Sequence, residues 1–414
     1  MRSEVLYALV AKLASILVSF VLVRACLSFL GSDSYSIWST TFATFTIIMT
    51  LDFGLSNSFR SRINKLQASS KFLLKRSLIS SLSAYNFILS GVVITALLLK
   101  YIFDSNFHSF ILLVSAAINL YFSTLNVDLF SRAKSGVIDV LQLAVNFFFI
   151  VLIWLYGIFD VSSTIFSRLE LASVSYFLIN IIFRMLTFRL CLGFWIPDAS
   201  YFKIDSKLKL CLKKGLAFFL AQMLFALYLL IDRYSIFYFE DSHKVVEYDL
   251  VFKVFNLILV FSLVFIKPLW RVFNSESNGK LFFKSYRMAS YFIYVAYFCS
   301  LIFAFFFNSF SSVVFGYECS ALLIDVLCII TWFFFTSLIT RNCYVFNAIG
   351  LVSFQIYMFS FYILVNFLII LLLYFNNEIN YSAILLKSCF TSGVMVIMFD
   401  VKLSSHLSKG SNDV

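Results

Sequence analysis

The sequence is short of charge: Asp, Glu, Lys and Arg make up only 13% of its 414 residues. An ordinary soluble domain carries about 25%, so this deficit excludes a cytosolic globular enzyme. Histidine is scarcer still, and His108, His243 and His406 all fall in connecting segments or the tail. A histidine proton relay or zinc site within an apolar span is thereby excluded. The 12 glycines form no GxxxxGK[ST] loop, which removes nucleotide hydrolysis through that motif. Asp52-Phe53-Gly54 spells a kinase magnesium motif, but its HRD and VAIK companions are missing. The eight cysteines show no CxxC spacing and no neighbouring histidine pair, as expected of small packing residues rather than metal ligands or disulfides.

What the chain has in excess is apolar surface. Hydrophobic residues reach 62%, with 54 Phe and 22 Tyr, and the mean hydropathy is +0.95. One buried core cannot absorb so much; a bilayer can. A spanning helix needs about 20 mostly apolar residues. Twelve such stretches stand at 5–29, 35–58, 78–103, 109–130, 138–159, 168–190, 215–238, 248–270, 288–310, 321–340, 351–375 and 381–401. They are about twice the length of a barrel strand, so the fold class is an all-α polytopic membrane protein. Lys12 and Arg24 interrupt the first stretch, which lacks a small-x-small cleavage site. It is expected to be a retained helix rather than a signal peptide.

Lys and Arg set the orientation, because cytoplasmic loops collect them. Of the 32, 22 lie in one alternating set of connections and termini; only Lys100, Arg168 and Lys244 lie in the other. Both termini are therefore expected in the cytoplasm. The net charge of +11 is explained by this asymmetry and does not call for nucleic acid. The longest polar connection divides the chain into an N-terminal lobe 1–190, a connecting loop 191–214, a C-terminal lobe 215–401 and a tail 402–414. A weak repeat links the halves. Arg24 and Arg233 each stand five residues before an aromatic residue at a span's outer end, and each is followed by an acidic turn and a Tyr, Tyr35 or Tyr248.

The remaining basic residues, Lys12, Arg24, Arg184, Arg233, Lys253, Lys267 and Lys387, lie inside spans. Each would cost at least about 2.5–3.5 kcal/mol facing lipid at the bilayer centre. For Arg184 and Lys267, near predicted cytoplasmic ends, snorkelling is the plain alternative. Lys12 sits roughly 10 Å of helical rise from its end, which makes escape harder. Gln222 and Arg233, 11 residues apart, share one face of the seventh span, and Lys253, Asn256 and Lys267 share another on the eighth. Such stripes describe the wall of a wet cavity whose cations suit an anionic guest. Asp232, beside Arg233, is placed to neutralise or orient it. The acids noted within the bundle are Asp52, Asp128, Asp139, Asp232, Asp325 and Asp400.

Two segments resemble a known family. Phe29–Lys65 reads LG, Y-x-x-W, then DFGL and a basic loop; Ile231–Glu276 reads D-R, then Y-x-x-x-x-K and P-x-W. Both are similar to the Wzx-type O-antigen flippases of the MOP superfamily, which also holds MATE exporters, though Ser36 stands where many relatives have Gly. The resemblance implies two six-helix lobes around a cavity lined by the first, second, seventh and eighth helices. It implies carriage of undecaprenyl-pyrophosphate-linked oligosaccharide across a bacterial inner membrane. Its cationic cavity residues map onto Lys12, Arg24, Arg233 and Lys253, the last three of which the depth argument also singles out. Auxiliary candidates are Asp52, Gln222, Asp232, Asn256, Lys267, Trp38 and Tyr35. No catalytic residue, metal or cofactor is expected. Expected partners are the lipid-linked oligosaccharide and membrane lipid, with H+ or Na+ as candidate coupling ions and polysaccharide polymerase or ligase machinery as a candidate contact. The competing readings are a MATE-type cation antiporter, which needs acids in its cavity, and a membrane polymerase or ligase, which needs a large outer loop.

Overall fold

A computed structural model of the chain describes residues 2–50, 82–83, 86–98, 101, 106–131, 136–159, 167–192, 206–275 and 279–411. The fold is all-helical, with 12 helices among these residues. In chain order they are α1 (Arg2–Thr50), α2 (Asn86–Leu98), α3 (Phe107–Ser131), α4 (Gly136–Ile158), α5 (Arg168–Leu192) and α6 (Ser206–Phe239). Then come α7 (Ser242–Ser275), α8 (Gly279–Ala304), α9 (Phe307–Phe315), α10 (Leu323–Ile349), α11 (Val352–Phe375) and α12 (Tyr381–Ser411). Eight of them are long and apolar enough to cross a membrane. The chain is a multi-pass membrane protein.

The first two apolar stretches meet at Gly31, whose φ of +76° and ψ of 172° are non-helical, so α1 consists of two helical segments joined at a kink. Only glycine occupies that region at low cost. A short nine-residue helix, α9, ends on the left-handed Gly316 in the connection between α8 and α10.

Local chemistry fixes the other starts. Ser167 and Glu170 exchange hydrogen bonds across the first turn of α5, Ser167 N–H to Glu170 Oε2 at 2.8 Å and Glu170 N–H to Ser167 Oγ at 3.3 Å, a capping box. Asp241 Oδ1 accepts the Lys244 N–H at 2.8 Å to open α7, and Asn380 Oδ1 accepts the Ala383 N–H at 2.9 Å to open α12. Each satisfies a donor the helix cannot pair internally.

The chain folds as two compact units, Met1–Met223 and Leu224–Val414. In the first, α1 packs on α3, α4 and α5. Its core is aromatic: Trp38 stacks on Phe149 at 5.7 Å, and Tyr176 meets Trp38, Phe42, Phe45 and Phe149 edge-on. In the second, α10 is central, packing on α7, α8, α11 and α12. Two thirds of its apolar window is buried (67%), against 17% for α8.

Candidate functional site

The chain's charged candidates gather in the second unit. Asp232 and Arg233 are consecutive on α6, so they point about 100° apart and find different partners. The Arg233 guanidinium makes a hydrogen-bonded ion pair with Asp249 of α7. It also lies 5.8 Å from the Tyr248 ring centroid and 5.5 Å from that of Phe252. One turn along α7, Lys253 Nζ approaches the other oxygen of the same carboxylate at 2.7 Å. Two cations thus share one acid. Asp249 is almost wholly buried and Arg233 nearly so, while the Lys253 side chain keeps 32% of its surface open.

Asp232 turns the other way, into α11 and α12. Lys387 Nζ lies 3.2 Å from its Oδ1, and the Ser388 hydroxyl donates to the same oxygen. Asn366 Nδ2 donates to the Tyr362 carbonyl at 2.9 Å and approaches Thr391 Oγ1 at 3.2 Å. Tyr228 extends this polar seam through Thr336 at 2.7 Å and Ser392 at 3.1 Å. Separating such a buried pair by deleting one partner typically costs about 3–5 kcal/mol, because the survivor keeps its charge without compensation.

Two further polar groups close the ends of this unit. Beside the α6–α7 turn, Glu247 accepts from the Ser320 N–H at 2.8 Å, the Ser320 hydroxyl at 2.6 Å and Lys244 Nζ at 2.7 Å. Nearby, Tyr317 and His243 share a hydrogen bond of 2.8 Å. Burial first, and the Glu247 carboxylate second, push the Tyr317 phenol up to about 12, so it keeps its proton at neutral pH. Toward the far ends of α10 and α12, Arg341 reaches Asp400 at 3.0 Å and Ser290 Oγ at 2.7 Å, and stacks over Tyr286 at 4.2 Å.

The expected site residues divide accordingly. Arg233 and Lys253 converge, as their depth suggested, but on Asp249, which a search for cations passes over. Asp232 does not orient Arg233; the helical offset sends it to Lys387 instead. Lys387, one of the basic residues expected inside a span, is sealed by that pair. Gln222 and Asn256 are half-buried, and Gln222 Oε1 is enclosed without a hydrogen-bond partner. Arg24 is exposed on α1. Trp38 and Tyr35, the aromatic auxiliary candidates, are buried in the first unit, 5% and 1% exposed, and Trp38 stacks within the aromatic cluster. Arg184 does not snorkel; it too is buried, 5% exposed. The Lys12 and Lys267 side chains and all of Asp52 lie outside the described residues. A cavity of about 310 Å³ in the first unit is lined by residues that include Ser28, Phe29, Trp154, Tyr156 and Arg168, and by none of the expected set.

No known family pattern matches the chain, and no curated protein does. Solved structures do. A MOP superfamily transporter from Pyrococcus furiosus, described as having a binding pocket of reverse polarity, superposes with a TM-score of 0.74 at 14% identity, over 98% of this chain and 95% of that one. An outward-facing MATE transporter gives 0.72 at 14% identity, with coverage of 98% and 96%. An inward-facing one gives 0.70 at 13%, with coverage of 97% and 98%. The fold is that of a MOP-superfamily transporter. Within the MOP fold, solved examples thus face either side of the membrane, as alternating access requires. At 13–14% identity the likeness is one of fold, and function has to be read from this chain's own residues.

Proposed function

We propose that this MOP-fold protein is a flippase. It would carry undecaprenyl-pyrophosphate-linked repeat units of O-antigen, or a related polysaccharide, from the cytoplasmic to the periplasmic leaflet of a bacterial inner membrane by alternating access. The observation that carries the reading is the Arg233–Asp249–Lys253 group, two cations on one carboxylate within an apolar bundle. A pyrophosphate head brings enough negative charge to engage Lys253 as a point charge and to compete with Asp249 for the Arg233 fork. Asp249 is then a resident counter-ion. It keeps the empty site electrically quiet and, by reclaiming both cations, helps expel the head after passage. Lys12, Arg24, Gln222 and Asn256 remain candidate residues of this reading. Both termini lie in the cytoplasm. The membrane potential supplies about 2.3 kcal/mol per charge per 100 mV, and H+ or Na+ are the candidate coupling ions.

One observation favours a second reading. A MATE-type cation antiporter needs buried acids, and Asp232 and Asp249 are buried acids. Each is already held by Lys387 or by Arg233 and Lys253, which is why the anion reading leads.

Vesicles carrying the purified protein separate the two. The flippase should make a pyrophosphate-linked glycolipid accessible across the bilayer with its mass unchanged. Arg233→Ala and Lys253→Ala should each lose that activity while remaining in the membrane. Extrusion of a lipophilic cation against an H+ or Na+ gradient, with the glycolipid left in place, would establish the antiporter instead. Polymerised or shortened glycan would point to an enzyme.

A further inference from the structure

The first unit holds one buried charge among its described residues, and that charge is handled unlike any in the second. Arg184 of α5 is 5% exposed, and no carboxylate among the described residues pairs with it. Its Nε donates to Asn180 Oδ1 at 2.9 Å, and its Nη2 to Gln142 Oε1 at 3.4 Å. Both acceptors are neutral amides, and both are held in place by their other ends. Asn180 Nδ2 donates to Ser115 Oγ at 3.3 Å; Gln142 Nε2 donates to Asn146 Oδ1 at 3.0 Å and to the Tyr176 hydroxyl at 3.4 Å. Turning either amide around would aim an NH2 group at a guanidinium, so the orientations are forced.

A guanidinium offers five N–H donors, and these two bonds leave its Nη1 end uncommitted among the described residues. Tyr176 is in a similar position. It is buried, 1% exposed, and its hydroxyl oxygen accepts from Gln142, leaving its own proton with no acceptor among the described residues. The Gln142 amide touches both groups. Two sets of donors, one of them cationic, therefore flank a single side chain in an enclosed interior with no anion supplied by the described protein. A buried cation in that state is costly unless something neutralises it.

We infer that Arg184 and Tyr176 form a binding site for a small inorganic monoanion of chloride size within the first unit. The guanidinium supplies the charge and two N–H directions, and the tyrosine hydroxyl supplies a third donor. The enclosure favours an ion that sheds water readily, so bromide should replace chloride, while sulfate and gluconate should not. This inference goes beyond the flippase reading and does not rest on it. A resident halide would hold α3, α4 and α5 together through their shared polar residues, whatever the transporter carries.

The test uses the full-length protein in phosphatidylcholine nanodiscs, with gluconate exchanged for chloride or bromide at constant sodium and ionic strength. Thermal unfolding should shift upward saturably with either halide. Arg184→Gln should abolish the shift. Tyr176→Phe should keep it at about tenfold weaker apparent affinity, the loss of one hydrogen bond to a charged group. In case Arg184→Gln folds poorly, Asn180→Asp provides the second arm. Its built-in carboxylate should raise the melting temperature in gluconate and remove the halide response. Equal melting in gluconate and chloride would overturn the site. So would a halide response in Asn180→Asp equal to that of the wild type. A saturable response to inorganic phosphate or to an anionic lipid headgroup, without one to halide, would overturn the assignment of a chloride-sized guest.

Discussion

In the first unit, Arg184 sits among amides and a phenol. In the second, seven charged side chains are buried among the described residues, Asp232, Arg233, Glu247, Asp249, Asp325, Arg341 and Lys387, and all but Asp325 meet an opposite charge directly. The two units face one problem, keeping ions inside a body that lipid surrounds, and they meet it differently. Neutral dipoles leave a lone charge open to an added ion, whereas ion pairs bind each residue's fate to its partner's and make an added anion compete with the resident carboxylate. The bends differ in kind too. One non-helical residue, Gly31, kinks α1, whereas α6 and α7 are joined through Glu240 and Asp241.

The largest test of the closed-pair picture is Asp232→Ala. It strands Lys387 and should destabilise the protein by about 3–5 kcal/mol, read from detergent or denaturant unfolding. Adding Lys387→Met should recover most of that loss; a double variant as unstable as the single one would mean that the pair is not the unit of stability. Next is Gly31→Ala. Nothing lies within 4 Å of the added methyl, so its whole cost is torsional, about 1–3 kcal/mol. At the matching place in the second unit, Asp241→Ala removes a helix cap and should cost about 1 kcal/mol. The smallest effect should come from Lys244→Ala. Its ammonium is partly open to water and bonds Glu247 one turn away, so the change should stay below about 1 kcal/mol. Glu247→Ala should exceed it clearly, because Ser320 would lose its acceptor as well. Equal losses for these two would show that the Ser320 clasp contributes nothing.

Much of this architecture could be read from composition. Apolar runs of the right length announce the helices, and charged residues inside them announce where something unusual must be arranged. Arg233 and Lys253 were visible on those grounds. Asp249 was not sought, although its four-residue spacing to Lys253 along one helix was legible and is the spacing at which opposite charges meet. The Asp232–Lys387 pair was beyond reach, since 155 positions separate its members and only the packing of α6 on α12 joins them. Trp38 and Tyr35 misled for a related reason. An aromatic residue near a span's end suits a sugar or a core equally well, and only its neighbours, here Phe149 and Tyr176 for Trp38, decide. The kink at Gly31 falls between two stretches that hydropathy separates, 5–29 and 35–58; its one-residue width is set by backbone torsion, which hydropathy does not record.

That kink constrains how the protein's length can vary. The residues on both sides of Gly31 are helical, so the joint between the two segments is one residue wide. Inserting or deleting a single residue in either segment would turn the residues beyond it by about 100° relative to the joint, and on the C-terminal side would draw Trp38 off Phe149. The turn at Glu240–Asp241 has no such constraint, for a longer connection there can be absorbed before Asp241 caps the next helix. Insertions and natural length variation should therefore collect at the second turn and be refused at the first.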